Sequence, residues 1–161
     1  MKGAYAGLYD RLGAAMLRVA RRMLPPAAAA EAEDAVQDVF VELVRRRDAM
    51  RRVIDLDAYL FAILRNGVRR RMERNAGERR RLLELSALGS VGIGPAAGSD
   101  DQLSAALANL PAEQREIVAM KIDGDLTFAQ IAEILGIRLN TAASRYRYAM
   151  EKLRRDVERP T

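Results

Sequence analysis

Leu126-Thr127-Phe128-Ala129-Gln130-Ile131-Ala132-Glu133-Ile134-Leu135-Gly136-Ile137 is the stretch that decides the fold. Thr127 and Gln130 have capping-box spacing, in which the Thr hydroxyl and the Gln amide satisfy each other's backbone N–H groups at a helix start. Ile131, Ile134 and Leu135 then supply a buried face, and Gly136 ends the helix by allowing a left-handed backbone. Asn140 is expected to cap a last helix, with Ala142, Tyr146, Ala149, Leu153 and Val157 on its apolar side. A short helix, a tight turn and a second helix predict a helix-turn-helix. In that reading Ala132 is small where the helices approach, and Ile137 fills the angle between them. The second helix presents Thr141, Ser144, Arg145, Tyr148 and Lys152 to a DNA groove. An αα corner in a helical bundle would have the same outline.

Upstream of this motif, Leu103, Ala106, Leu107 and Leu110 form a short helix. Pro111 suits the first position of the next, which runs through Ile117, Val118 and Met120 to an Asp123-Gly124 turn. Residues 89–99 contain four glycines, a proline and no charge, the composition of a linker. Before the linker, Tyr5, Leu8, Leu12, Met16, Val19 and Met23 recur at helical spacing until Pro25-Pro26 stops them. Val36, Val39, Phe40, Leu43 and Val44 mark a second helix, with acids in its first turn and Arg45 to Arg47 in its last. Tyr59, Leu60, Ile63, Leu64, Val68 and Met72 mark a third, with Asp55 or Asp57 as cap. The chain is therefore expected to be all-α, two small helical domains on a flexible linker, with the helix-turn-helix in the second. The boundaries fall at 1–86, 87–100 and 101–161.

Charge is unevenly placed. Of 27 Lys and Arg against 22 Asp and Glu, the first 86 residues hold 18 basic and 12 acidic side chains. Eight arginines lie between Arg65 and Arg81, and the absence of Lys among them suits bidentate binding of phosphate. Glu31, Glu33, Asp34 and Asp38 form an acidic segment without a base, so two different partners are expected. The 161 residues include no Cys, His or Trp. That excludes disulfides, zinc fingers and Cys- or His-based catalysis. No nucleophile with a base beside it can be assembled, so an enzyme is not expected and no catalytic, metal or cofactor site is assigned. No apolar run has the length of a membrane span, and a cytoplasmic protein with no membrane insertion is expected.

Taken in order, four segments resemble the bacterial RNA polymerase sigma factors, specifically the compact extracytoplasmic-function group. Glu33-Asp34-Ala35-Val36-Gln37-Asp38-Val39-Phe40 resembles that family's E-D-x-x-Q-[DE]-x-F signature in region two. Ala58-Tyr59-Leu60-Phe61-Ala62-Ile63-Leu64-Arg65-Asn66 is similar to its A-W-L-x-x-I-x-R-N segment. Residues 107–115 and 126–137 resemble the start and the helix-turn-helix of region four. The resemblance implies binding of core RNA polymerase through Asp34, Gln37 and Asp38 to the β′ clamp helices, with the β subunit as a further contact. It implies that the third helix takes the minus-ten element of promoter DNA, Asn66 making a polar base contact and Arg65, Arg69 and Arg70 contacting phosphates. It also implies that Thr141, Ser144, Arg145 and Arg147 meet the minus-thirty-five element. An anti-sigma protein is a common further partner in the family.

Some positions depart from the pattern. Ala143, Tyr148 and Met150 stand where relatives often carry Lys or Arg, and Tyr59 replaces the usual Trp. Tyr59 and Phe40 are expected in the core. The function implied is a sigma factor directing promoter-specific initiation; the alternative is a stand-alone helix-turn-helix regulator, with a sigma mimic that binds only protein as a third class.

Overall fold

The structure is a computed structural model and describes residues 2–85 and 99–159. Among these residues every regular element is helical. Helix α1 spans Lys2–Met23, α2 Glu31–Arg45, the single turn α3 Arg47–Met50 and α4 Leu56–Leu85. After the linker segment, α5 covers Ser99–Ala108, α6 Ala112–Val118, α7 Phe128–Leu135 and α8 Leu139–Glu158. The expected linker lies mostly outside the described residues, and its last two positions, Ser99 and Asp100, already belong to α5.

The first unit is held by the stripes that the spacing predicts, except that Val44, expected on the apolar side of α2, is exposed because the buried face ends at Leu43. Leu12, Met16, Val19 and Met23 of α1 are buried with Val36, Val39 and Leu43 of α2 and Leu60, Phe61, Leu64 and Val68 of α4. Asp55, rather than Asp57, caps α4: its Oδ1 accepts from the Ala58 N–H at 3.1 Å. Asp57 instead takes Arg11 in a two-pronged exposed pair, both contacts at 2.9 Å. Helix α4 continues for three turns past Met72, where the apolar stripe ends while the arginines that start at Arg65 go on to Arg81.

In the second unit the capping box is present in both directions. The Thr127 N–H donates to Gln130 Oε1 at 2.9 Å, and the Gln130 N–H donates to Thr127 Oγ1 at 3.1 Å. Gly136 ends α7 at φ 65°, a left-handed conformation that costs an ordinary residue strain but leaves glycine free. Three expectations are corrected. Asn140 does not cap the last helix, which begins at Leu139 with Arg138 in the extended cap position, so Asn140 is exposed inside the first turn. Pro111 is the cap of α6 rather than its first residue. The Asp123-Gly124 turn is a π-helical turn over Ala119–Asp123 that continues α6, because the chain widens to place Gly124 N–H on Ala119 O at 3.0 Å.

That widening predicts a sensitive position. A Cβ at Gly124 would stand 2.7 Å from the Met120 carbonyl oxygen, which is backbone and cannot rotate away. Gly124→Ala is expected to lower unfolding free energy by about 1–3 kcal/mol, the usual range for overpacking, read by urea denaturation; an unchanged midpoint would contradict the close approach.

The two units are packed together. Helix α1 lies against α6 and the π turn, and α4 lies against α7. One apolar cluster runs from Met23 and Leu24 through Ile117, Met120, Leu126 and Ile131. A smaller one, Leu107, Leu110, Val118 and Leu153, closes the far side of the second unit between α5, α6 and α8.

Candidate polymerase and nucleic-acid interfaces

Helix α2 is amphipathic, so burying Ala35, Val36 and Val39 turns Asp34, Gln37 and Asp38 outward, and all three are exposed. At helical spacing the same face continues to Val41, exposed at 52%. A contiguous strip of acid, amide and apolar side chain therefore faces solvent. Asp38 is held: Arg71 Nη2 donates to its Oδ2 at 2.7 Å, while Arg71 Nη1 donates to the Gly67 carbonyl at 3.3 Å. Asn75 similarly donates to Glu31 at 2.8 Å. Sequence reasoning placed Arg71 only in a basic cluster; its tie to Asp38 spans 33 residues and has no local signal.

The α4 arginines do not behave alike. Arg69 and Arg70 are exposed, as is Asn66. Arg65 is not, with 16% of its side chain exposed: its Nε donates to Glu116 Oε2 at 2.9 Å and its Nη2 to Oε1 at 3.3 Å. Arg65, Arg69 and Arg145 line one cleft of about 460 Å³ between the units, with Met23 and Ile137 as apolar walls. Arg70 faces a separate groove beside Asp38, Arg71 and Arg74. Tyr59 is half-buried against the core, in keeping with a packing role, and Phe40 is half-buried with Tyr9 against it, ring centroids 5.0 Å apart.

On α8, Thr141, Ser144 and Arg145 are half-buried, and Arg145 Nη2 approaches Glu113 within 3.9 Å. Arg147 is exposed, its guanidinium over the Tyr148 ring at 5.6 Å. Lys152 turns back to donate to the Asn109 carbonyl at 3.2 Å, so it ties α8 to the end of α5 instead of pointing to a groove. Arg115, half-buried in the wall of the cleft shared by Arg65, Arg69 and Arg145, is pushed below the usual guanidinium pKa by burial. The cross-unit pairs escaped sequence reasoning altogether. Among the described residues, besides Arg65 with Glu116, they include Arg22 with Asp123, and Gln130, whose Nε2 donates to Asp55 at 3.1 Å.

An acidic, solvent-facing helix, an arginine-lined helix and a helix-turn-helix on one chain place it in the class of two-domain DNA-binding subunits. Comparison with known proteins narrows the class. Residues 8–78 match the family described as Sigma-70 region 2, and residues 100–153 match Sigma-70, region 4. An extracytoplasmic-function RNA polymerase sigma factor, SigL of Mycobacterium tuberculosis, is 30% identical over 159 residues, covering 91% of this chain and 85% of that protein. The sigma factor RpoE from Bartonella quintana, solved with the anti-sigma factor NepR, superposes with a TM-score of 0.73 at 24% identity, over 98% of this chain and 99% of that one. CnrH, solved with the cytosolic domain of CnrY, gives 0.64 at 26% identity, over 96% and 87%. The chain belongs to the extracytoplasmic-function sigma factors. It directs transcription initiation as a subunit of RNA polymerase on promoter DNA, and the stand-alone regulator gives way because region two is matched as well as region four. Among the described residues no helix is long and apolar enough to cross a membrane.

Proposed function

We propose that residues 1–86 dock on core polymerase through Asp34, Gln37 and Asp38 and take the minus-ten element along α4, while residues 101–161 read the minus-thirty-five element with α8. The observation that carries this is the pair of exposed, oppositely charged faces on the first unit, acidic on α2 and arginine-rich on α4. An acidic strip repels DNA and suits a basic protein surface, whereas Arg69 and Arg70 suit phosphates. Asn66, exposed one residue after Arg65, is the base contact. Thr141, Ser144, Arg145 and Arg147 are the groove contacts on α8. The chain performs positioning rather than bond chemistry, acts in the cytoplasm where polymerase and DNA meet, and uses the segment between α4 and α5 as the tether. Two weak DNA contacts then add through a high effective concentration once polymerase fixes their separation. An anti-sigma protein is a further partner of this chain, as the complexes of RpoE and CnrH suggest.

The test is reconstitution with core polymerase on fragmented genomic DNA and mapping of transcript starts. Wild type is expected to yield one two-box motif at constant spacing. N66A relaxes the downstream box, and S144A/R145A relaxes the upstream box, each by about tenfold to a hundredfold at the base concerned, the worth of a good base contact. R69A/R70A weakens all promoters alike and reduces the salt slope of single-strand binding by about 0.7 for each phosphate no longer neutralised. Starts without a shared motif would contradict the proposal.

A further inference from the structure

The cleft of about 460 Å³ beside α4 lies within the range of about 300–1,000 Å³ that small-molecule sites occupy. Four arginines reach its wall from three helices: Arg65 and Arg69 of α4, Arg115 of α6 and Arg145 of α8. They are not equally compensated. Glu116 takes Arg65 with both oxygens, at 2.9 and 3.3 Å, and neutralises it. Glu113 comes only within 3.9 Å of Arg145 and is 71% exposed, so solvent screens that pair. Among the described residues neither Arg69 nor Arg115 forms an ion pair. Arg115 is also half-buried, and of the five N–H donors of a guanidinium one meets a described acceptor, the Ala108 carbonyl at 3.4 Å, near the long limit of a hydrogen bond. A guanidinium does not shed its proton, so the cost of drawing it from water is relieved by an anion brought to it.

The remaining wall is aliphatic. Met23, Met72, Leu135 and Ile137 supply it, and among the described residues no aromatic ring lines the cleft. A nucleobase finds no ring to stack on there, whereas unbranched methionine side chains adapt to a hydrocarbon chain. Glu73, exposed in the same wall, adds a negative charge that disfavours an extended polyphosphate and suits one compact head group. We propose that this cleft binds an amphipathic anion, a carboxylate or phosphate head on an aliphatic chain, with Arg69, Arg115 and Arg145 taking the head and the two methionines, Leu135 and Ile137 taking the chain. Arginine forks hold either head in the same bidentate way. Arg115, Met23 and Met72 take no part in the promoter or polymerase contacts, so the site goes beyond them.

Isothermal titration calorimetry on the full chain, free of polymerase and DNA, tests the site with decyl phosphate and decanoate below their micelle concentrations. Binding of one molecule per chain is expected for at least one of the two, the tighter naming the head group, with a rise in melting temperature as ligand is added. Decanol, which keeps the chain and drops the charge, and inorganic phosphate, which keeps the charge and drops the chain, should each bind at least about tenfold more weakly. R69Q and R115Q should each weaken the anion by about tenfold, the worth of a hydrogen bond to a charged group. R115K, which keeps the charge without the fork, should recover part of that loss. R69Q changes an exposed residue and so keeps the test informative if R115Q lowers stability by itself. R18Q, exposed on α1 and outside the cleft, should bind as wild type does. No binding of either anion, several molecules bound per chain with an affinity that R69Q and R115Q leave unchanged, or decanol binding as tightly as the anions overturns the site. ATP binding as tightly as decyl phosphate overturns the aliphatic assignment.

Discussion

D34A/Q37A/D38A is expected to weaken binding to core RNA polymerase by about a hundredfold or more in a pull-down or fluorescence titration. Truncating one charged partner of a buried, hydrogen-bonded contact costs about 2–5 kcal/mol. A hundredfold requires only about 2.7 kcal/mol, so removal of one such contact suffices and three give a margin. The competing explanation is helix stability, because Asp34 and Asp38 lie in or near the first turns of α2, where an acid favours the positive end of its dipole. That effect is worth about 0.3–1 kcal/mol per acid at an exposed site, and it should appear as a small shift in melting rather than as abolished binding. Asp38 allows a finer reading. Its exposed carboxylate is held by Arg71, whose side chain is only 11% exposed. R71Q is accordingly expected to weaken core binding by less than D38A, since it loosens the carboxylate without removing it. Core binding by the triple variant equal to that of wild type would falsify the assignment of α2 as the docking helix.

Phe61→Ala is expected to lower the unfolding free energy by about 3–5 kcal/mol, the range for deleting a large buried aromatic. Phe61 is 1% exposed and is among the largest fully buried side chains, in the cluster shared by α1, α2 and α4. The loss is large against a typical total stability of about 5–15 kcal/mol. Urea unfolding followed by circular dichroism measures it. Val44→Ala on the exposed side of α2 is the control, expected within about 0.5 kcal/mol of wild type. A Phe61→Ala midpoint close to that of the control would mean that α4 does not pack as described.

Much of this architecture was legible because the relevant forces act within a few residues. Thr127 and Gln130 are three apart, and their reciprocal bonds follow from the helix start alone. Gly136 ends α7 for a similarly local reason, and the buried positions of α1, α2 and α4 follow the helical period. Asn140 was misread because a good capping residue was weighed without knowing where the turn after Gly136 would finish; the turn closes sooner, with Arg138 in the cap position. The π turn was illegible because it depends on how Met120 and Leu126 pack between the units, and an Asp-Gly pair has no signature for it.

Sequence alone determined the helical class, the two-unit order, the helix-turn-helix and which helix faces carry acid and arginine, since composition and short-range period suffice for these. It could not rank Arg65, Arg69 and Arg70, three residues of one type on one helix. The tertiary structure separated them, leaving Arg69 and Arg70 open and engaging Arg65 with a carboxylate 51 residues away. Arg22 with Asp123, 101 residues apart, and Gln130 with Asp55, 75 apart, were decided in the same way. A charge pair forms where packing brings the groups within reach and water is excluded, and that proximity is a property of the assembled helices rather than of any segment of the chain.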